Sequence, residues 1–521
     1  MKMESLIGLV LVLITATVVP AQSPAELAPK IDAIIDARIG EEQAQAAPVC
    51  PDSEFIRRVY LDVAGKIPPV SRVRDFLADE SPDKRAELVD ELLESSRYVV
   101  NFTTMWRNAL IPEAIGDLRL RQAVPGFEAW LRKALDKDLR YDEFVRQIID
   151  APLNSNGTPA QYVEGDGPTA AGFYLAKEGK PESLASATSR VFLGRRIGCA
   201  QCHDHPFDSW KQEQFWQFAA FFSGVDPTQA AMRSAKKLKP ATILIPDSEE
   251  TAKATFLTGG EPSLKNNAGA RKALAEWVVA ENNPYFAEMG ANRLWGHFFG
   301  RGIVEPVDDF SEENAASHPK LLRLLAESFA GSDFDLKYMI RTITATQAYQ
   351  RTSKQDHKSQ EAPELFARMP VKGLTEEQIF DTVAEATGFF EAFRVDEPFV
   401  LQQNTPRSEF IELFRNDSDS RTEQQTTILQ ALAMMNGQFL STQTNLENSQ
   451  TLAAVANAPF MNDKDRVETL FLSALSRKPT DKERSRFVSH VKSGGVTKDS
   501  QAALTDVFWV LLNSSEFLLN H

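Results

Sequence analysis

Cys199-Ala200-Gln201-Cys202-His203 is the segment of this chain best equipped for chemistry. In C-x-x-C-H, two thiols can form thioethers to the vinyl groups of a haem, and the following imidazole can coordinate its iron. The chain has only three cysteines, so the spacing stands out. The same residues support two further readings. Cys199, Cys202, His203 and His205 supply four donors of the kind that hold tetrahedral zinc, although so tight a spacing strains the chelate. Cys199 and Cys202 can also pair as a structural or redox-active disulfide.

The Asp204-His205-Pro206-Phe207-Asp208 tail goes beyond what a simple electron carrier needs. Asp204, His205 and Asp208 are candidate outer partners of a bound group. The plainer reading has Asp208 capping a helix that starts near Ser209, with His205 bonded locally. His205 is too close to His203 to reach the opposite face of a haem. Candidates for a sixth iron ligand are Met105, Met232, Met289, His297 and His318, and a five-coordinate iron is the alternative. Met105 sits on an apolar helical face, where methionine is usually core filler. Cys50 reads as a buried thiol.

The N-terminus sets the compartment. Lys2 precedes an apolar run from Leu6 to Val19, and Val19-Pro20-Ala21 offers a cleavage site before Gln22. Residues 1–21 therefore read as a signal peptide, too short for a spanning helix. The mature chain is expected to be exported, periplasmic or extracellular, with no transmembrane segment. Export suits haem attachment of the c type. The balance of 57 basic and 72 acidic residues gives a net charge of −15. That excludes nucleic acid as a main partner and suits a basic redox partner.

The elements that must position the site are helical. The composition, 43% hydrophobic and 25% charged, is that of a globular protein. Phe55, Ile56, Val59 and Tyr60 follow the helical period, as do Val467, Leu470, Phe471, Ala474 and Leu475. Ser81-Pro82 reads as an N-cap followed by proline in the first helical position. Thr375 with Gln378, and Thr480 with Glu483, read as capping boxes. Thr242 to Ile245 and Ala254 to Leu257 predict a short β-ribbon. The expected fold is mainly α: a domain at 28–225 carrying the C-x-x-C-H, an irregular connector at 226–266, and a helical domain at 267–521. In the latter, Asn292, Arg293, Asp308 and Asp309 read as turn caps tied by an arginine, and Phe410 to Arg421 as a charged loop. No G-x-S-x-G, phosphate-cradling loop or H-E-x-x-H occurs.

Phe192-Leu193-Gly194, the run from Cys199 to Asp208, and Trp210 resemble a planctomycete cytochrome-like family, domain of unknown function 1549. Arg57-Arg58-Val59-Tyr60-Leu61-Asp62, with Gly65 and Pro68, is similar to that family's opening helix. Asn292-Arg293-Leu294-Trp295, Phe299-Gly300-Arg301-Gly302, Asp308-Asp309-Phe310, Ser317-His318-Pro319, Leu429 to Leu432 and Asn513 to Phe517 resemble its C-terminal companion, domain of unknown function 1553. Many relatives carry a further cytochrome domain with its own C-x-x-C-H. This chain has a single one, so one haem is expected. The resemblance implies an exported cytochrome-like protein, with Cys199 and Cys202 tethering haem c and His203 ligating it, for electron transfer or oxidative chemistry. The alternative is a non-haem binding or scaffold protein whose Cys/His cluster holds zinc or a disulfide, in an assembly that handles polysaccharides.

Overall fold

The computed structural model describes residues 22–115, 124–153, 169–226, 231, 234–236, 239–246, 248–264, 269–390, 405–414 and 428–521. The predicted signal peptide, Met232 and the Arg415–Arg421 part of the charged loop lie outside the described residues.

Helices dominate, among them, in chain order, α1 (Pro24–Glu41), α2 (Asp52–Val59), α3 (Ser96–Leu110), α4 (Pro181–Leu193), α5 (Gln212–Ala219), α6 (Phe286–Phe299), α7 (Pro319–Gly331), α8 (Leu336–Ala345), α9 (Glu376–Thr387), α10 (Asp463–Leu475), α11 (Asp481–Ser493) and α12 (Ser500–Leu512). The Thr375 and Thr480 capping boxes open α9 and α11. Ser81-Pro82 does not cap as expected. The next helix runs Lys84–Leu93 after Asp83, and the Ser81 hydroxyl instead accepts from Asp83 N–H within the preceding turn.

Two short antiparallel pairs are the only strands among the described residues. The connector ribbon pairs β1 (Thr242–Leu244) with β2 (Thr251–Lys253). Its second strand starts three residues earlier than expected, because the chain bends after Ala254: Phe256 N–H turns back to Gly260 C=O. β3 (Lys372–Gly373) pairs with β4 (Leu519–Asn520).

Apolar side chains gather into two clusters. The larger runs from Leu27 to Met369 and so takes in helices on both sides of the connector. Within it, α6 packs on α4 and α7, and α1 on α8. An aromatic stack crosses it: Tyr141 lies 5.1 Å from Phe286 and 5.3 Å from Trp106, ring to ring. The smaller cluster runs from Leu374 to Phe517 and is joined by Leu61 and Ile67 from the N-terminal side.

A buried polar centre ties the two. After α2 the chain forms a π-helical turn, Tyr60–Ala64, stopped by Gly65 at φ 75°. A Cβ there would lie 2.7 Å from Asn101 Oδ1, so only glycine fits. Asp62 on this turn is fully buried. Its Oδ1 accepts from Lys372 Nζ at 2.6 Å and Asn520 Nδ2 at 2.8 Å, and its Oδ2 from Tyr349 at 2.9 Å. Burial, with Asp62 beside it, pushes the Tyr349 phenol well above its ordinary range, so it remains a donor. One turn earlier, Arg57 donates to Ala474 C=O at 2.9 Å, Phe517 C=O at 2.8 Å and Glu516 C=O at 3.2 Å. Arg58 donates to Tyr349 C=O at 2.5 Å and pairs with Glu54 at 2.6 Å.

Arg57→Met keeps the stem and removes the donors, leaving three carbonyls short of a partner. A loss of about 3 kcal/mol is expected in denaturant unfolding. A change below about 1 kcal/mol would show that water or relaxation replaces the guanidinium.

Candidate functional site

The C-x-x-C-H segment leaves α4 through a turn that only glycine can make. Gly194 has φ 65°, and a Cβ there would come within 2.5 Å of the Phe310 ring and 3.1 Å of Met289 Sδ. Gly194 and Arg195 N–H close on Arg190 and Ser189 carbonyls. Ile197 then buries its side chain, and Gly198–Gln201 forms one 3-10 turn.

That turn has an inner and an outer side. Ala200 is fully buried, whereas Cys199 and Cys202 are exposed free thiols. His203 is exposed too, its Nδ1 2.7 Å from Asp204 C=O. Behind the turn, Trp216 Nε1–H donates to Gln201 C=O at 3.0 Å, and Gln212 Nε2 to the Gln201 and Cys202 carbonyls at 3.2 and 3.0 Å. The inward side is thus filled by Ala200, Trp210 and Trp216, while the reactive atoms face solvent.

The tail folds back on itself. His205 N–H donates to Trp210 C=O at 2.8 Å, and His205 Nδ1 accepts from Phe207 N–H at 3.2 Å. Asp204, not Asp208, supports the next helix, which starts at Gln212 rather than near Ser209. Asp204 accepts from Gln212 N–H and from Lys211 Nζ, each at 3.0 Å, and these bonds hold its carboxyl below the usual range. Asp208 accepts from its neighbour Ser209 N–H at 2.6 Å. The turn runs three residues beyond the expected start near Ser209, and the capping carboxylate is Asp204 in place of Asp208.

The root of the loop is clamped by residues from beyond the connector. Asp308 accepts from Arg190 at 2.6 Å and Arg196 at 2.6 Å, with Arg293 at 3.9 Å. Burial pushes this carboxyl up, but Arg293, Arg190 and Arg196 outweigh it and the group sits below its ordinary value. Phe310 N–H donates to Gly194 C=O at 2.8 Å, and Arg195 donates to Phe310 C=O while lying over the Tyr285 ring. Asn292 accepts from Ile303 and Val304 N–H and donates to the Val304 and Val307 carbonyls, fixing the segment that delivers Asp308.

The remaining candidates are placed elsewhere. His297 Nε2–H donates to Asp62 C=O at 2.8 Å. His318 is buried against Phe366, with Nδ1 3.2 Å from the Ser317 hydroxyl. Met289 is core beneath Gly194, and Met105 packs on the same core. Cys50 is buried 3.8 Å from Arg58 Nη1, and burial pushes its thiol up. A cavity of about 480 Å³ lies near the end of α1, between Asp36, Ile39, Pro48 and Arg351. Among the described residues, no three His, Cys, Asp or Glu side chains converge as a metal site, and no helix is long and apolar enough to cross a membrane.

For haem, the tethering atoms fit: two reachable thiols on one turn, then an imidazole.

Residues 30–227 match the family PSCyt2, described as a protein of unknown function (DUF1549), and residues 270–491 match PSD1, likewise of unknown function (DUF1553). No curated protein and no solved structure matches the chain.

In reduced, haem-free protein, a thiol reagent should titrate Cys199 and Cys202 in the native state and Cys50 only after unfolding. Three equally fast thiols would contradict the burial of Cys50. Burial, with Arg38 adding to it, pushes the His318 imidazole down to about 4. The unfolded chain binds that proton near pH 6.5, so stability should fall as pH drops from about 6.5 towards 4. His318→Gln should flatten that slope in pH-dependent unfolding, and an unchanged slope would assign it to other groups.

Proposed function

The chain belongs to the paired families DUF1549 and DUF1553, and from that premise we propose that it is an exported cytochrome-like protein whose exposed loop carries one covalent haem c. The observation that carries this reading is the two-sided turn: Cys199, Cys202 and His203 outward, Ala200 anchored inward. When bound, the haem supplies a one-electron couple.

The residues divide the work. Cys199 and Cys202 tether, and His203 ligates. Asp204 fixes the start of α5, and Gln212 and Trp216 hold the loop carbonyls, so the tether sits on a stiff base. Mounting on the surface favours exchange of electrons with a docked protein over chemistry in an enclosed pocket. The acidic balance of the chain suits a basic redox partner.

A second reading is a redox-active dithiol. It is favoured by the two free, exposed thiols that share one turn. Zinc is less well supported, because His205 Nδ1 is already engaged by Phe207 N–H.

The test is a haem stain of denatured protein after export from a host with c-type maturation machinery. A stained band is expected, lost in Cys199→Ala/Cys202→Ala. In His203→Ala the band should persist, since the thioethers remain, with a shifted visible spectrum. Folded protein without any stain would sink the cytochrome reading. A thiol count after mild oxidation would then decide between the dithiol and a passive turn.

A further inference from the structure

Lys372, Asp62 and Asn520 meet in the interior with their side chains fully buried. Lys372 Nζ and Asn520 Nδ2 both bond the same atom, Asp62 Oδ1, at 2.6 and 2.8 Å. Lys372 and Asn520 are also direct cross-strand partners in the β3–β4 pair, a relation that places two side chains on one face about 5 Å apart at Cβ. Asn520 Oδ1 is buried without a hydrogen-bond partner among the described residues.

An ordinary buried ion pair does not need this third member. The other well-covered lysines pair with carboxylates that reach solvent: Lys177 with Glu113, and Lys337 with Glu94 and Asp138. Only at Lys372, among the described residues, is the partner carboxylate itself fully buried and shared with a side-chain amide.

We propose that Lys372 and Asn520 form an intramolecular isopeptide bond, with Asp62 moving the protons. Asp62 takes a proton from the Lys372 ammonium, leaving two neutral groups where dry surroundings penalise ions. The freed lone pair of Nζ attacks Cγ of Asn520. The Nζ–Cγ bond forms as the Cγ–Nδ2 bond breaks. Asp62 returns its proton to the departing nitrogen, which leaves as ammonia, and takes the remaining proton from Nζ. Asp62 ends as the neutral acid, so no unpaired charge stays in the dry interior, and no oxidant or co-reactant is consumed. Tyr349, donating to Oδ2 at 2.9 Å, and Phe298 C=O, accepting from Nζ, hold the acid and the amine in place. All three cysteines are free, so this bond would be a covalent tie between the chain's last strand and its interior that no disulfide supplies.

The experiment is peptide mapping of the full purified chain, reduced and denatured. A branched peptide joining Lys372 to Asn520 is expected, with no tryptic cleavage after Lys372 and an intact mass about 17 Da below the unmodified chain. Loss of ammonia elsewhere, as at an N-terminal Gln22, leaves the two peptides separate and does not count as support. Separate linear peptides from wild-type protein would overturn the proposal. Asp62→Asn should reduce the branched peptide at least about tenfold, and full retention of the bond in that variant would overturn the role of Asp62. Should the variant not fold, the wild-type map decides alone.

Discussion

A carboxylate with no access to water is the constraint on which this structure turns. Asp62 cannot stand alone in the interior, because an unpaired buried charge costs several kcal/mol. It must therefore draw Lys372, Tyr349 and Asn520 to itself. Those three residues come from segments far apart in sequence. With Arg57 and Arg58 gripping carbonyls at 349, 474, 516, 517 and 521, α2 becomes the place to which the C-terminal segments return. The π-helical turn serves this end: its extra residue aims Asp62 inward while Gly65 lets the chain leave against Asn101.

The same interlocking extends to the C-x-x-C-H loop. Its own helix belongs to the first family, yet the group that neutralises Arg190 and Arg196 at its root is Asp308 of the second. The helix beneath it, α6, also comes from the second family, and its Asn292 fixes the segment bearing Asp308. The connector therefore joins two stretches of sequence without dividing the larger hydrophobic cluster. A loop held in this way can present reactive atoms outward because Ile197, Ala200 and Trp210 fill its inner side and Arg195, Arg196 and Asp204 tie it to its surroundings.

What was legible in the sequence follows from range. Helical periods, the Thr375 and Thr480 capping boxes and the fixed spacing of C-x-x-C-H are local signals, and the structure bears out the helices and boxes. The motif containing Arg57, Arg58 and Asp62 was visible as a family resemblance. Their complete burial was not, since charged residues on an amphipathic helix read as a solvated face until distant partners are known. The second strand of the connector and the start of α5 each lie three residues from where the sequence places them, because a tight turn and an acceptor eight residues away decide them. The Asp308 clamp joins positions more than a hundred residues apart. The sequence ties Asp308 and Asp309 to nearby Arg293, whereas nothing local pairs Asp308 with Arg190 and Arg196 from before the connector.

One hydrophobic cluster and shared buried groups join the two matched stretches, so they should unfold as one unit. Hydrogen exchange of the full chain, followed by peptide across increasing denaturant, tests it most directly. The slowest amides of α4, before the connector, and of α6, after it, should open with the same free energy and the same denaturant dependence. If α6 remained protected where α4 had exchanged, or the reverse, the two stretches would be separate bodies in contact and the account would fail.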